Sequence, residues 1–151
     1  MKAVDYLKRI KTLDSQIDND IEELSTLEAL ATKTTSVMGG ERIQASGSQE
    51  KMADCVAKIV DLQKEINEEI DRFTDFRKEA RKLIHEACDA DCMRLLHLRY
   101  LGVYNETTEK IEFRTWEQIA VEMNFTYQWV SGGLHQRALS QLQKALDERG
   151  E

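Results

Sequence analysis

The stretch TWEQIAVEMNFTYQWVSGGLHQRAL, residues 115–139, decides how the C-terminal part of this chain folds. Thr115 stands before the periodic run WEQIAVEMN, with Gln118 at the third helical position, so the pair predicts a capping box. Trp116, Ile119, Ala120 and Met123 fall on one helical face. Asn124 tolerates left-handed backbone and predicts a turn. Thr126 predicts the cap of a second helix, with Phe125, Val130, Leu134, Ala138 and Leu142 facing inward. The small Ala120 lets the two helices cross closely. Two helices around a tight polar turn is the helix-turn-helix plan.

Upstream, DADCMRLLHLRYLG (residues 89–102) resumes a helical period, with Asp89 or Asp91 as the cap of a new helix or the second helix running on, and Gly102 as stop. VYNETTEKIEFR, residues 103–114, predicts a loop or a short β-hairpin. Taken with TWEQIAVEMNFT and LHQRAL, the run LLHLRYLG resembles region 4 of bacterial sigma factors, which reads the −35 promoter element. It is closer still to phage and prophage proteins that join a helical N-terminal segment to this module, such as the ArpU/RinA-type late transcription regulators. Trp116, Glu117, Ile119, Ala120, Met123, Asn124, Leu134, His135, Ala138 and Leu139 carry the resemblance, over about residues 93–146. Here Thr126 stands one place later than the family's usual Ser or Thr. The resemblance implies that Thr126 caps the reading helix and that Tyr127, Gln128, Ser131, Gly132, His135 and Gln136 lie toward the major groove. Arg137 would then lie near a phosphate.

Charge and glycine qualify that expectation. Met123–Leu146 holds no Asp or Glu, and its full charges are Arg137 and Lys144, so it suits selective reading over tight nonspecific binding. Gln, Tyr and Ser still reach bases, and Arg94, Arg99 and Arg114 would add backbone contacts if folded onto the same face. Gly132 and Gly133 each cost about 1 kcal/mol in a helix relative to Ala. They predict either a bare surface for close approach or a kink. Trp129 is an outward partner contact or a residue packed on its neighbour helix.

The first 90 residues carry a different pattern. Apolar residues recur at steps of three and four from Ala3 through Tyr6, Ile10, Leu13, Ile17, Leu24 and Leu27 to Ala31, broken by Asp20. The rhythm returns from Met52 through Cys55, Ile59, Leu62, Ile66, Phe73, Phe76, Ala80 and Leu83 to Ala87, broken by Glu69. Each helix thus has a narrow apolar seam of coiled-coil type. The Gly-, Ser- and Thr-rich residues 34–49 predict a flexible loop, and folding about Ile43 gives an antiparallel hairpin that pairs Ile10 with Phe76 and Leu24 with Leu62. Asp20 and Glu69 are either a metal or proton site, or polar register residues at a seam edge with Ile21 and Ile70 turned inward; the cost of burying unpaired carboxylates favours the second. Leu7, Leu30, Val56 and Val60 remain uncovered, which predicts a homodimer through this hairpin.

Composition bounds the chemistry. The 151 residues are 32% charged, contain no proline and carry a net charge of −7, which argues against general coating of nucleic acid. Neither residues 1–90 nor residues 91–151 are basic. No apolar run predicts a membrane span or signal peptide, and the sparse Cys55, Cys88 and Cys92 predict reduced thiols, so a cytoplasmic protein is expected. His85, Cys88 and Cys92 would stack on one continuous helix, but they lack the two separated ligand pairs of zinc sites, and packed thiols are the default. GGERIQASG lacks the ending and the preceding strand of a phosphate loop, and no nucleophile–base arrangement is present. The expectation is therefore an all-α chain, with a coiled-coil hairpin over 1–90 and a helix-turn-helix over 91–151. It has no cofactor, no metal and no enzymatic activity, and binds double-stranded DNA in concert with RNA polymerase. The alternatives are a protein-interaction module that does not read DNA, and a phage DNA-packaging or assembly protein.

Overall fold

A computed structural model describes residues 1–40 and 45–150. Among them 83% are helical. Two long helices, α1 (Ala3–Gly40) and α2 (Ala45–Ala87), precede α3 (Ala90–Leu96), which runs into a wide π turn at His97–Leu101. A two-stranded hairpin comes next, β1 (Val103–Asn105) and β2 (Lys110–Glu112), then α4 (Trp116–Met123) and α5 (Leu134–Glu148). A second π stretch, Trp129–Gly133, leads into α5. Among the described residues no helix is long and apolar enough to cross a membrane.

The chain forms two compact units: Met1–Thr12 with Thr74–Glu151, and Leu13–Phe73. The first unit takes in about the first three turns of α1 and the last four of α2 together with the C-terminal elements. The reason is visible in their burial. Leu7, expected to be uncovered, is fully buried, as are Ile10, Ala80 and Ile84. In this first unit α3 packs on α5, and Leu95, Leu96, Leu98, Leu101, Leu134 and Leu142 close the core. Arg77 of α2 donates to the carbonyls of Leu101 (3.1 Å) and Gly102 (3.2 Å), satisfying the end of the π turn. Gln143 of α5 accepts from the Ala3 N–H (2.7 Å) and donates to the Met1 carbonyl (3.0 Å), which ties down the start of α1.

Every predicted apolar seam position from Ala3 to Ala31 and from Met52 to Ala87 is buried or half-buried. Tyr6 meets Phe76 with ring centroids 5.1 Å apart in the first unit, and Asp20 meets Glu69 in the second, so α1 and α2 run in opposite directions. Two expectations fail here. Residues 34–49 are not one loop: α1 continues to Gly40 and α2 begins at Ala45, leaving only residues 41–44 outside the described residues. With no proline to stop them, long helices propagate through Ser and Thr at little cost per residue.

The second failure concerns the seam's polar break. Ile21 and Ile70 do not rotate inward; they are 44% and 40% exposed, while Asp20 and Glu69 occupy the half-buried seam positions. The hydrogen bond with Asp20, then burial, pushes the Glu69 carboxyl up to about 7. Glu69 Oε2 is buried and has no partner while both groups are ionised, because two carboxylates only accept. Protonation of Glu69 supplies a donor that two carboxylates lack.

Candidate functional site

All the residues singled out in 115–139 lie in the first unit. Thr115 caps α4 as predicted, with the Gln118 N–H donating to its Oγ1 (3.2 Å) and Gln118 Oε1 accepting from its N–H (2.9 Å). Asn124 ends α4 in left-handed backbone, φ 58° and ψ 43°. The Phe125 N–H then reaches back to the Ala120 carbonyl (3.0 Å). Thr126 caps the second helix, its Oγ1 accepting from the Trp129 N–H (3.2 Å) and its carbonyl from the Val130 N–H (3.1 Å). Ile119 and Ala120 of α4 are buried, and so are Val130, Leu134, Ala138 and Leu142. Phe125, expected inside, is 37% exposed, because the left-handed Asn124 swings the next residue out of the helix face.

The two glycines separate cleanly. A Cβ on Gly133 would run into Cζ3 of Trp129 and stand 2.7 Å from its Cε3, so Gly133 is the seat on which the indole lies. A Cβ on Gly132 would meet nothing within 4 Å. Trp129 is at once packed on its own helix and exposed on its outer side. A π stretch over Trp129–Gly133 widens the helix at the two glycines.

The residues assigned to the groove divide into two sets. Thr126, Tyr127, Gln128 and Gln136 are exposed, and Gly132 leaves bare backbone beside them. Ser131 is half-buried and its hydroxyl donates to the Tyr127 carbonyl (2.7 Å). His135 is not on the outer face. It shares a 2.7 Å hydrogen bond with Tyr100 Oη, stacks on that ring, and receives the edge of Trp116 at 4.7 Å. Burial, then the nearby Arg99, holds its pKa below the usual histidine value. His135 thus faces the π turn through Tyr100 and α4 through Trp116.

The cations are engaged within the fold. Arg137 reaches Asp89 at 2.7 Å, and Asp89 also caps α3 through the Cys92 N–H (3.0 Å) and accepts from Gln141 (2.9 Å). Those contacts, the Gln141 bond foremost, hold Asp89 down to about 2. Arg99 lies over the Trp116 ring, 4.5 Å from its centroid, and Arg94 and Arg114 both turn to Glu122 (3.9 and 2.9 Å). The fold thus pairs Arg94, Arg99 and Arg114 internally. What sequence reasoning missed is the start of α1, which adds Lys2, Lys8, Arg9 and Lys11 to this unit and brings its net charge to +1.

The possible zinc set is divided by the chain itself. α2 ends at Ala87 and α3 starts at Ala90, so His85, Cys88 and Cys92 share no continuous helix. Burial pushes the Cys88 and Cys92 thiols up to about 11 and about 12, which keeps them protonated and poor ligands. Among the described residues no three His, Cys, Asp or Glu side chains gather to hold a metal ion.

No protein-family model matches this chain, and no curated protein or solved structure matches it either.

Proposed function

We propose that α4, the Asn124 turn and the helix running from Tyr127 into α5 are a DNA-reading helix-turn-helix. In this reading the chain is a transcription regulator of the phage or prophage sigma-region-4-like kind, acting with RNA polymerase. The long helix pair is its antiparallel coiled coil. One observation carries the reading: a doubly capped two-helix unit presents Tyr127, Gln128 and Gln136, with bare backbone at Gly132, at the start of its second helix. Gln reads adenine in the major groove through two hydrogen bonds, and Tyr reaches bases or phosphates. Because the arginines nearby are paired, affinity is weak and polymerase supplies the second contact. Few phosphates are neutralised, so binding falls only gently with salt.

The test is fluorescence anisotropy of the full chain on DNA flanking its gene against scrambled DNA, at low salt. Gln128→Ala with Gln136→Ala weakens specific binding about tenfold or more, from the 1–3 kcal/mol of each bidentate contact. Arg137→Ala is a poor probe, since it also breaks the Asp89 network. Equal affinity for both DNAs, or none at low salt, defeats the reading.

A second reading is a protein-interaction module that does not read DNA. It is favoured by the exposed apolar side chains of the same segment: Val121, 81% exposed, with Phe125, Tyr127 and Trp129. Binding of purified RNA polymerase that survives the double Gln variant and fails with Val121→Ser and Phe125→Ser selects it.

A further inference from the structure

The strongest unassigned feature lies in the second unit, Leu13–Phe73, and stands independently of the DNA reading. This unit holds 14 acidic and 6 basic side chains, a net of −8, so the protein's net negative charge resides in it. The charge is not spread evenly around the helix pair. In antiparallel helices the positions just after Leu13, Asp20 and Leu27 on α1 share one flank with those just after Cys55, Leu62 and Glu69 on α2. That flank exposes Ile21, Val56 and Ile70, with Val60 one position further out, and Asp18 and Glu28 border it. None of those six flank positions holds a Lys or Arg: Lys51, Lys58 and Arg72 occupy the opposite flank, Lys33 lies on the outer face, and Lys64 follows Val60 by four positions at the flank's outer edge. From Val56 to Ile70 the apolar row runs about 21 Å, the length of a four-turn helix.

We infer that this flank docks an amphipathic helix of a partner protein whose apolar face is edged by Lys and Arg. The exposed Ile and Val supply the apolar seam and the acidic rim selects the sign of the partner. A second copy of this chain, the occupant expected from the sequence, would bring another unit of net −8 against the same acidic rim. Like charges facing one another across a rim disfavour that pairing.

The experiment uses the full chain and a fluorescein-labelled synthetic four-turn peptide, Leu along its seam and Lys and Arg beside it, with a twin carrying Glu at the flanking positions. The basic peptide binds and is weakened by salt, and the acidic twin does not bind. Ile21→Ser with Ile70→Ser lowers affinity at least about tenfold while circular dichroism is unchanged. If that pair unfolds the helices, Asp18→Lys with Glu28→Lys carries the test, with the same loss expected. Failure of the basic peptide to bind, equal binding of both peptides, or full affinity in the folded variants overturns the assignment. So does a sedimenting dimer of the unmodified chain that Ile21→Ser with Ile70→Ser dissolves, because the flank then belongs to a second copy.

Discussion

The two units are built from stretches of the same two long helices, yet they bury them differently. Residues 1–12 and 74–87 share the first unit with α3 and α5, bonded to the C-terminal residues through Ala3–Gln143 and Glu79–Arg149, and Leu7, Ile10, Ala80 and Ile84 are sealed from water. In residues 13–73 only Ile17, Ile66 and Phe73 among the described residues are buried, and the other seam positions are half-open. The charge tracks the burial, +1 in the first unit and −8 in the second. A seam between two helices has one layer to hide behind; a seam with further helices over it has two. The lesson is that a heptad rhythm locates a seam without saying how dry that seam becomes.

The sharpest way to break this comparison is to truncate one leucine in each unit. Leu96→Ala, at a site with no exposure, costs about 2–5 kcal/mol. Leu24→Ala in the half-open seam costs no more than about 1–2 kcal/mol, because part of its surface is already wet. Urea denaturation of the two variants measures both, and equal losses would erase the distinction.

Next in size is the glycine pair. Gly133→Ala forces the Trp129 ring off its seat and destabilises by about 1–3 kcal/mol, with a shift in tryptophan emission. Gly132→Ala, with open space at its Cβ, stabilises by about 0.4–1 kcal/mol. If both variants lose stability alike, the seating of the indole is not what the glycine serves.

The two units also respond to acid in opposite senses. Glu69 has its carboxyl raised from 4.5 to about 7, so its contribution is complete below about 4.5 and is lost as pH rises through about 7. His97 and His135 are lowered from 6.5, chiefly by burial, so their contribution is present above 6.5 and is lost as pH falls below it. Hydrogen exchange measured at pH 5 and pH 8 should show residues 13–33 and 49–73 better protected at the lower pH, and α3 and α5 better protected at the higher. Glu69→Gln, which keeps a donor at every pH, removes the change in the second unit and adds on the order of 1 kcal/mol at pH 8. Loss of protection in both units on acidification would contradict the assignment. The smallest effect belongs to Arg137→Ala: its ion pair with Asp89 is mostly solvent-exposed, and breaking it costs about 0.2–1 kcal/mol.

Much of this was legible in the residues. The capping box at Thr115 and Gln118, the left-handed Asn124 and the Thr126 cap arise from side chains that bond to backbone within three positions. The seams arise from spacing along one helix. His135, by contrast, lies within the segment assigned to the groove, and only Tyr100 and Trp116, 35 and 19 residues away, draw it inside. Nothing in the local pattern distinguishes Gly133 from Gly132; the Trp129 ring lying over one of them does. Asp20 and Glu69 are too costly to bury singly, but they face each other, and that contact raises the Glu69 carboxyl to about 7.

What the sequence by itself determined is therefore what local chemistry decides: the caps of α4 and of the helix that follows it, the turn between them, and the seam along each long helix. The tertiary structure alone decided which ionisable groups meet. It gave Arg137 to Asp89, Arg114 to Glu122 and His135 to Tyr100. Charges interact through space over a few ångströms, and spacing along a chain does not encode which distant segment arrives there.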